Sequence, residues 1–267
     1  NPQSLWAGMK LKTFNDAYTS ISKFVKDDRL RKSLAFQTLY IGVSPYQGPS
    51  LYTIIPMIEL FYGVYFIKGG MYTLATSLAR LFEELGGVIH YDSPIEELII
   101  ENKRATGIRL NGQIHSADAI VCAADFPYAM QELIPNEKNR GKYTNKKISR
   151  MAYSCSCFLL YLGLDKKYEA NGLHSIYFAE DFKKNVDDLF EFGVLPEDPS
   201  FYLYRPTLKD ASLAPEGHEG LYVLVPVPEL SKFNDWQPNT ITNYRNKIIH
   251  TLKEKTIFND IDEHIVF

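Results

Sequence analysis

The chain has 267 residues, enough to bury a sizeable core in one large domain or two smaller ones. Apolar residues make up 45% and charged residues 23%, a balance that excludes a disordered tail and fits a globular protein. The net charge of −3 offers no bulk attraction to nucleic acid or to an anionic lipid surface, and the small basic clusters (Lys10 with Lys12, Lys146 with Lys147) read as solvated surface. Cys122, Cys155 and Cys157 lack the number and spacing of a disulfide framework or a metal site, and no metal is expected. Cys155 and Cys157 would share one strand face, where a disulfide between them has poor geometry. All three read as buried thiols in a reducing cytoplasm. No apolar run is long enough to span a bilayer, and no signal peptide is visible.

Residues 5–42 read as helices, with Leu11, Phe14, Tyr18, Ile21, Phe24 and Val25 at three- and four-residue steps and Asp27 or Asp28 as a cap. After a Gly/Pro loop, Leu51–Phe61 reads as an apolar helix with one charge, Glu59; Pro56 predicts a kink or break. A helix apolar all round is buried or faces lipid. Val64–Ile67 reads as a short strand, and Lys68-Gly69-Gly70 as a turn into an amphipathic helix carrying Met71, Leu74, Leu78, Leu81 and Leu85. Gly86-Gly87 ends that helix. Strands are expected at Val88–Tyr91 and Ile95–Ile100, then a hairpin through Asn111-Gly112. Ala119–Cys122 reads as a strand buried on both faces. A helix follows Asp125, then a polar connector from Pro135 to Lys147. The remainder is mostly β: Ser154–Leu162, Ser175–Phe178, Ser200–Tyr204 and Leu221–Val227, closed by Pro226 and Pro228. Helices are expected at Phe182–Phe192 and from Asn243 onward.

The stretch Gly63–Asp125 has the order of the second half of a dinucleotide-binding αβ domain. In such a fold the ligand lies at the carboxyl ends of parallel strands. Ala123, Ala124 and Asp125 would stand there, with room for a planar ring beside the two alanines. No G-x-G-x-x-G occurs and the first residue is not Met, so the chain reads as the middle of a larger enzyme. The many aromatics (18 Tyr, 16 Phe) fit either strand content or an apolar tunnel for a large lipophilic substrate.

Several segments carry more than their pattern. Leu34–Pro45, Pro49–Glu59, Phe66–Met71, Tyr153–Asp165, Leu195–Ser200, Ser212–Gly217 and Leu221–Pro228 closely resemble the bacterial carotenoid (phytoene) desaturases, flavin amine-oxidase-like oxidoreductases. The resemblance covers nearly the whole chain. Lys10–Thr13, Pro56–Glu59 and Ala124–Pro127 lean toward the branch acting on 4,4′-diapophytoene. Where the phytoene enzymes usually carry Asn-Ala-Asp, this chain has Ala123-Ala124-Asp125, so an Asn-specific flavin contact is absent.

The resemblance implies an α/β fold: part of an FAD-binding Rossmann-like domain, plus a mixed-sheet α+β substrate domain with helical membrane-facing elements. It places residues 1–63 in the helical membrane-contact part, 64–126 in the middle of the FAD domain and 127–267 in the substrate domain. The implied activity is FAD-dependent removal of hydrogens from a C30 or C40 isoprenoid such as 4,4′-diapophytoene. The alternatives are a carotenoid oxygenase or isomerase of the same superfamily, or a non-catalytic isoprenoid-binding protein. The cofactor is FAD, contacted by Ile95 at the adenine, by Gly69 and Gly70, and by Ala123, Ala124 and Asp125. Both terminal flavin motifs fall outside the chain, so it is expected to be inactive alone. His174 is the one polar catalytic candidate, and Glu180 and Asp181 read as helix caps. Arg205 is expected to pair with Asp198 or Asp210. The partners are a long isoprenoid hydrocarbon and the inner face of the cell membrane, with no nucleic acid; oligomeric state is not legible.

Overall fold

The structure, a computed structural model, describes residues 15–169 and 172–267. The expected helical positions Leu11 and Phe14 and the Lys10–Lys12 cluster lie outside the described residues. The chain divides into two compact units: residues up to Ala75 together with Ser154–Phe267, and Thr76–Tyr153.

The first unit is built on a four-stranded sheet of β4 (Ser156–Leu164), β5 (His174–Tyr177), β6 (Phe201–Tyr204) and β7 (Glu219–Val227), in the order β4-β7-β6-β5. Where the sequence suggested a mixed sheet, every pairing among the described strands is antiparallel. Strand alternation sorts the side chains by face. Leu221, Val223, Val225 and Val227 are buried on one face with Phe201 and Leu203. The helix Pro238–Lys255 covers that face through Tyr244, Ile248 and Leu252, spaced at helical period. It starts ahead of the expected Asn243 because Pro238 occupies the first turn, where a missing N–H costs nothing.

Pro226 does not close β7, which runs on to Val227. β6 pairs with β7 only over Tyr222–Leu224, so at Pro226 that side of the strand has no described partner from which a bond is lost. A second, smaller core packs Phe36, Phe178 and Phe182 edge to face, with centroids 5.3 to 5.6 Å apart for the pairs through Phe178.

Arg205 and Glu219 are joined by a fully buried ion pair, 3% and 2% exposed. Arg205 Nη2 donates to Glu219 Oε2 at 2.9 Å and to the Tyr168 carbonyl at 2.6 Å. The Tyr168 N–H donates back to Glu219 Oε2 at 3.2 Å. Arg205 therefore does not pair with Asp198 or Asp210. Asp198 takes the Glu180 N–H and pairs with Lys255, and Asp210 caps the turn at Ser212. Burial excludes water at the end of β6, and the carboxylate that meets Arg205 there comes from the adjacent strand β7.

The unit Thr76–Tyr153 holds β1 (Glu97–Glu101), β2 (Arg104–Leu110) and β3 (Gln113–Ser116), paired antiparallel in that order. The Asn111-Gly112 turn forms as expected, with φ of 50° and 74°. A second tight turn at Asn102-Lys103, also left-handed, joins β1 to β2.

Three expected strands do not form. Val64–Ile67, Val88–Tyr91 and Ala119–Cys122 are irregular, and Val121 is 95% exposed. A strand buried on both faces needs neighbours on both edges, and no described strand pairs with Ala119–Cys122. The same holds for helix burial. Met71–Glu84 forms where its period predicts, and Gly86 N donates to the Glu83 carbonyl at 2.9 Å to end it, yet none of its residues is buried. Leu51–Phe61 splits into a 3-10 turn (Ser50–Thr53) and the helix Ile54–Tyr62. Pro56 then falls in the first helical turn, where proline is tolerated. Phe182–Phe192 is an α-helix to Asp187 that continues as a π turn.

Glu219→Gln leaves the Arg205 charge buried without its counter-ion. It is expected to lower stability by about 3 kcal/mol, read as a reduced urea midpoint. An unchanged midpoint would show that the pair does not hold the end of β6.

Candidate functional site

Two places gather the residues singled out from the sequence, one in each unit. In Thr76–Tyr153 an apolar cleft of ≈ 630 Å³ is lined by Ile95, by Leu98 and Ile108 from the paired strands β1 and β2, and by Ala119–Ala124. Ile95, Ala123 and Ala124 thus meet at one wall. Backbone N–H and C=O groups of Ala119–Ala124 make no backbone hydrogen bond among the described residues. Unpaired backbone donors and acceptors beside bare alanine Cβ atoms suit the polar edge of a planar heteroaromatic ring. Asp125 stands at the end of this run. Its Oδ1 accepts from the Tyr128 N–H at 3.3 Å, so it caps the single helical turn Phe126–Tyr128.

Gly69 and Gly70 lie in the other unit. Both have left-handed φ, 82° and 84°, which only glycine adopts without strain as the chain turns into Met71. The Gly69 N–H donates to Asp210 Oδ2 at 2.8 Å. Gly70 lines an apolar cavity of ≈ 710 Å³ with Phe66, Met71, His174, Tyr204 and Lys209. Gly70 and His174 therefore line one cavity, while Ile95 and the alanines line a cleft in the other unit.

His174 is set by the β5–β6 register, which places it opposite Tyr204. Its ring stacks on Tyr204 at 4.9 Å and 7°, and its Nδ1 lies 2.7 Å from the Tyr202 hydroxyl. Partial burial between these rings lowers its pKa from the ordinary value, and the Glu59 carboxylate opposes the shift. Burial first, and then neighbours including Glu59, raises the Tyr202 phenol well above its usual range. This polar–aromatic group continues across the sheet to Tyr222 and Tyr161. Tyr202-x-Tyr204 was visible as a cluster in the sequence. The parts played by Tyr161 and Tyr222 were not, because strand order alone brings β4 and β7 into line with β6.

The cysteines are less enclosed than expected. Cys122 and Cys157 are exposed, and Cys155 is half-buried with its thiol pushed up to about 12 by burial and the neighbouring Cys157. Cys157 points away from the core on β4, and Cys122 sits on the unpaired run Ala119–Ala124. Asp181 is the N-cap of Phe182–Asp187, as expected, accepting from the Lys184 N–H at 2.9 Å. Among the described residues no group of His, Cys, Asp or Glu is placed to hold a metal ion.

His174 is neutral more readily in the folded state than in the unfolded chain. Stability should fall as the pH drops from 6.5 toward its lowered midpoint, and should not depend on this residue above 6.5. An imidazole NMR titration is expected to place the midpoint below 6.5, and Glu59→Gln should lower it further. A midpoint at or above the ordinary value would contradict the stacked arrangement.

The family description "Flavin containing amine oxidoreductase" matches residues 7–254. The chain is 45% identical over its full length to a 4,4′-diapophytoene desaturase (4,4′-diaponeurosporene-forming) of Staphylococcus haemolyticus. It is 46% identical over its full length to the protein of the same name from Staphylococcus aureus. In both cases it spans 54% of the relative, so it covers about half the length of the curated relatives it matches. An oxidoreductase from Methanosarcina mazei is similar in structure, with a TM-score of 0.57 and 18% identity over 94% of this chain and 56% of that one. At that identity the likeness concerns the fold. The match from residue 7 to residue 254 and the shared fold lead to one conclusion: the chain belongs to the flavin-containing amine oxidoreductase family.

Proposed function

We propose that the chain is part of an FAD-dependent desaturase that removes hydrogens from a long isoprenoid of the 4,4′-diapophytoene type in carotenoid biosynthesis. The observation that carries this reading is the 45% and 46% identity, along the whole chain, to proteins named as 4,4′-diapophytoene desaturases. The apolar cavity beside His174 and the tyrosine-bearing sheet face support a hydrocarbon substrate, whose affinity comes from apolar burial at about 0.8 kcal/mol per CH₂.

The cleft in Thr76–Tyr153 fits the ring portion of FAD. Ile95 and Pro94 offer an apolar wall, and Ala123 and Ala124 offer backbone groups with no side chain in the way. No Lys or Arg lines it, so the charge of a diphosphate is not met by these residues. When bound, the flavin supplies a two-electron acceptor. The proposed flavin-domain portion, residues 64–126, contains all of the lining except Tyr128 and Leu133. The substrate portion takes in 1–63 and 127–267. Gly69 and Gly70 turn the chain at the edge of the substrate cavity, where a close backbone approach is open to them.

Peripheral contact with the inner face of the cell membrane is part of the proposal. Its support is the helix Ile54–Tyr62 and the residues after it, where Leu60, Phe61, Tyr62, Val64 and Tyr65 are all more than 70% exposed. Among the described residues no helix is long and apolar enough to cross a membrane.

The full-length protein, expressed in a host that makes 4,4′-diapophytoene, is expected to yield coloured polyenes lighter by two hydrogens per step. Colourless extracts would overturn the desaturase reading, and a gain of oxygen or an unchanged mass would replace it with an oxygenase or an isomerase. Ala124→Phe in the same protein fills the cleft. It is expected to lower the flavin released on denaturation by about tenfold, with the fold retained by circular dichroism. Unchanged flavin content would remove Ala124 from the site.

A further inference from the structure

We propose that the outer face of the β4-β7-β6-β5 sheet is a seat for the conjugated, already desaturated stretch of an isoprenoid chain. Its row of tyrosines sets a preference for a conjugated chain over an unconjugated one. The inference rests on the desaturase reading and names which form of the chain this face holds.

Strand register builds the row. His174 stands opposite Tyr204, Tyr204 opposite Tyr222, and Tyr222 opposite Tyr161. One aromatic side chain from each of the four strands thus falls on a single line across the sheet. His174 and Tyr204 stack at 4.9 Å, and the Tyr222 and Tyr161 centroids lie 5.0 Å apart. Adjacent strands stand about 4.8 Å apart, so the row runs roughly 14 Å. Tyr202, Leu224 and Leu159 form a second row on the same face, again in register. The Tyr202 ring meets Tyr222 edge to face at 6.2 Å, which ties the two rows together. Neither row carries an Asp, Glu, Lys or Arg. At β5 the first row opens on the ≈ 710 Å³ cavity that His174 and Tyr204 also line. At β4 it ends on Tyr161, which is 64% exposed.

Side chains stand roughly perpendicular to a sheet, so a chain lying along the row meets ring edges. The edge of an aromatic ring is the positive part of its quadrupole, and the face of a π system is negative. Conjugation keeps successive double bonds coplanar. A polyene therefore offers one continuous π face to all four rings. Where double bonds are isolated, rotation about the saturated carbons between them turns successive π faces apart. The rigid polyene also loses less conformational freedom when it is seated. Apolar burial is nearly the same for both chains, so it does not distinguish them. Edge-to-face contacts and rigidity do. The face holds the chain and moves no hydrogen.

The test uses the full-length enzyme and two probes: a C30 isoprenoid whose double bonds are isolated, and a C30 polyene whose central double bonds are conjugated. Each is equilibrated with the protein from neutral lipid vesicles, and the bound fraction is extracted and quantified by chromatography. The wild type is expected to bind the polyene at least about tenfold more tightly, or about 1.4 kcal/mol. Tyr161→Leu and Tyr222→Leu keep an apolar side chain and remove the ring. Together they are expected to bring the ratio below about threefold, with affinity for the unconjugated probe changed less than twofold or so. Tyr161→Phe with Tyr222→Phe keeps the rings and should preserve the preference. Melting temperatures check the fold, and Tyr161→Leu alone, at an exposed position, should already lower the ratio. If the unconjugated probe binds and the wild type shows no preference, or the leucine variants retain it, this inference fails while the desaturase reading stands. If neither probe binds, the assignment of this face to an isoprenoid fails as well.

Discussion

The alternation of side chains along β6 and β7 is the constraint on which the rest of the larger unit depends. Successive residues point to opposite faces, so Phe201, Leu203, Leu221, Val223 and Val225 enter the core together. The same register obliges Tyr202, Tyr204 and Tyr222 to leave it together. A core and a candidate binding face are thus two consequences of one pairing. A slip of one residue would exchange them, and the burial of the helix Pro238–Lys255 against the first face opposes that slip. The Arg205–Glu219 pair holds the end of the arrangement, because each charge is tied by hydrogen bonds to the other and to the Tyr168 backbone.

The smaller unit works by a different physical rule. Its cleft owes its character to the bare alanines Ala119, Ala123 and Ala124 and to backbone groups of residues 119–124 that no described strand satisfies. Polar backbone beside small apolar side chains is an environment that a planar cofactor ring can complete from its edge. No Lys or Arg lines this cleft. The two candidate sites differ in character: one is a wall of small side chains and open backbone, the other an aromatic sheet face.

Local rules were largely legible in the residues. The Asn111-Gly112 turn, the glycine stop after Glu84, the Asp181 cap and the strands β4 to β7 appear within a few residues of where pattern places them. The misses share one cause. Ala119–Cys122 reads as a strand buried on both faces and Leu74, Leu78 and Leu81 as one side of an amphipathic helix, but burial is a property of a pair of surfaces. Period tells which side of an element is apolar; it does not supply the element that covers it. Arg205 failed for a related reason, since acidic neighbours in sequence were weighed while its partner came from the adjacent strand.

The sequence by itself determined the family and the positions of most turns and strands. Those are properties of short segments and of their order, which propensity and resemblance can read. Only the tertiary structure decided which of them meet. It set Gly70 and His174 on one cavity of the larger unit, and Ile95, Ala123 and Ala124 on one cleft of the smaller. It also brought Glu59, from a helix more than a hundred residues away in sequence, within electrostatic reach of Tyr202. The physical reason is that charge and burial act through space, and the strand order that sets those distances is decided by packing of the whole sheet.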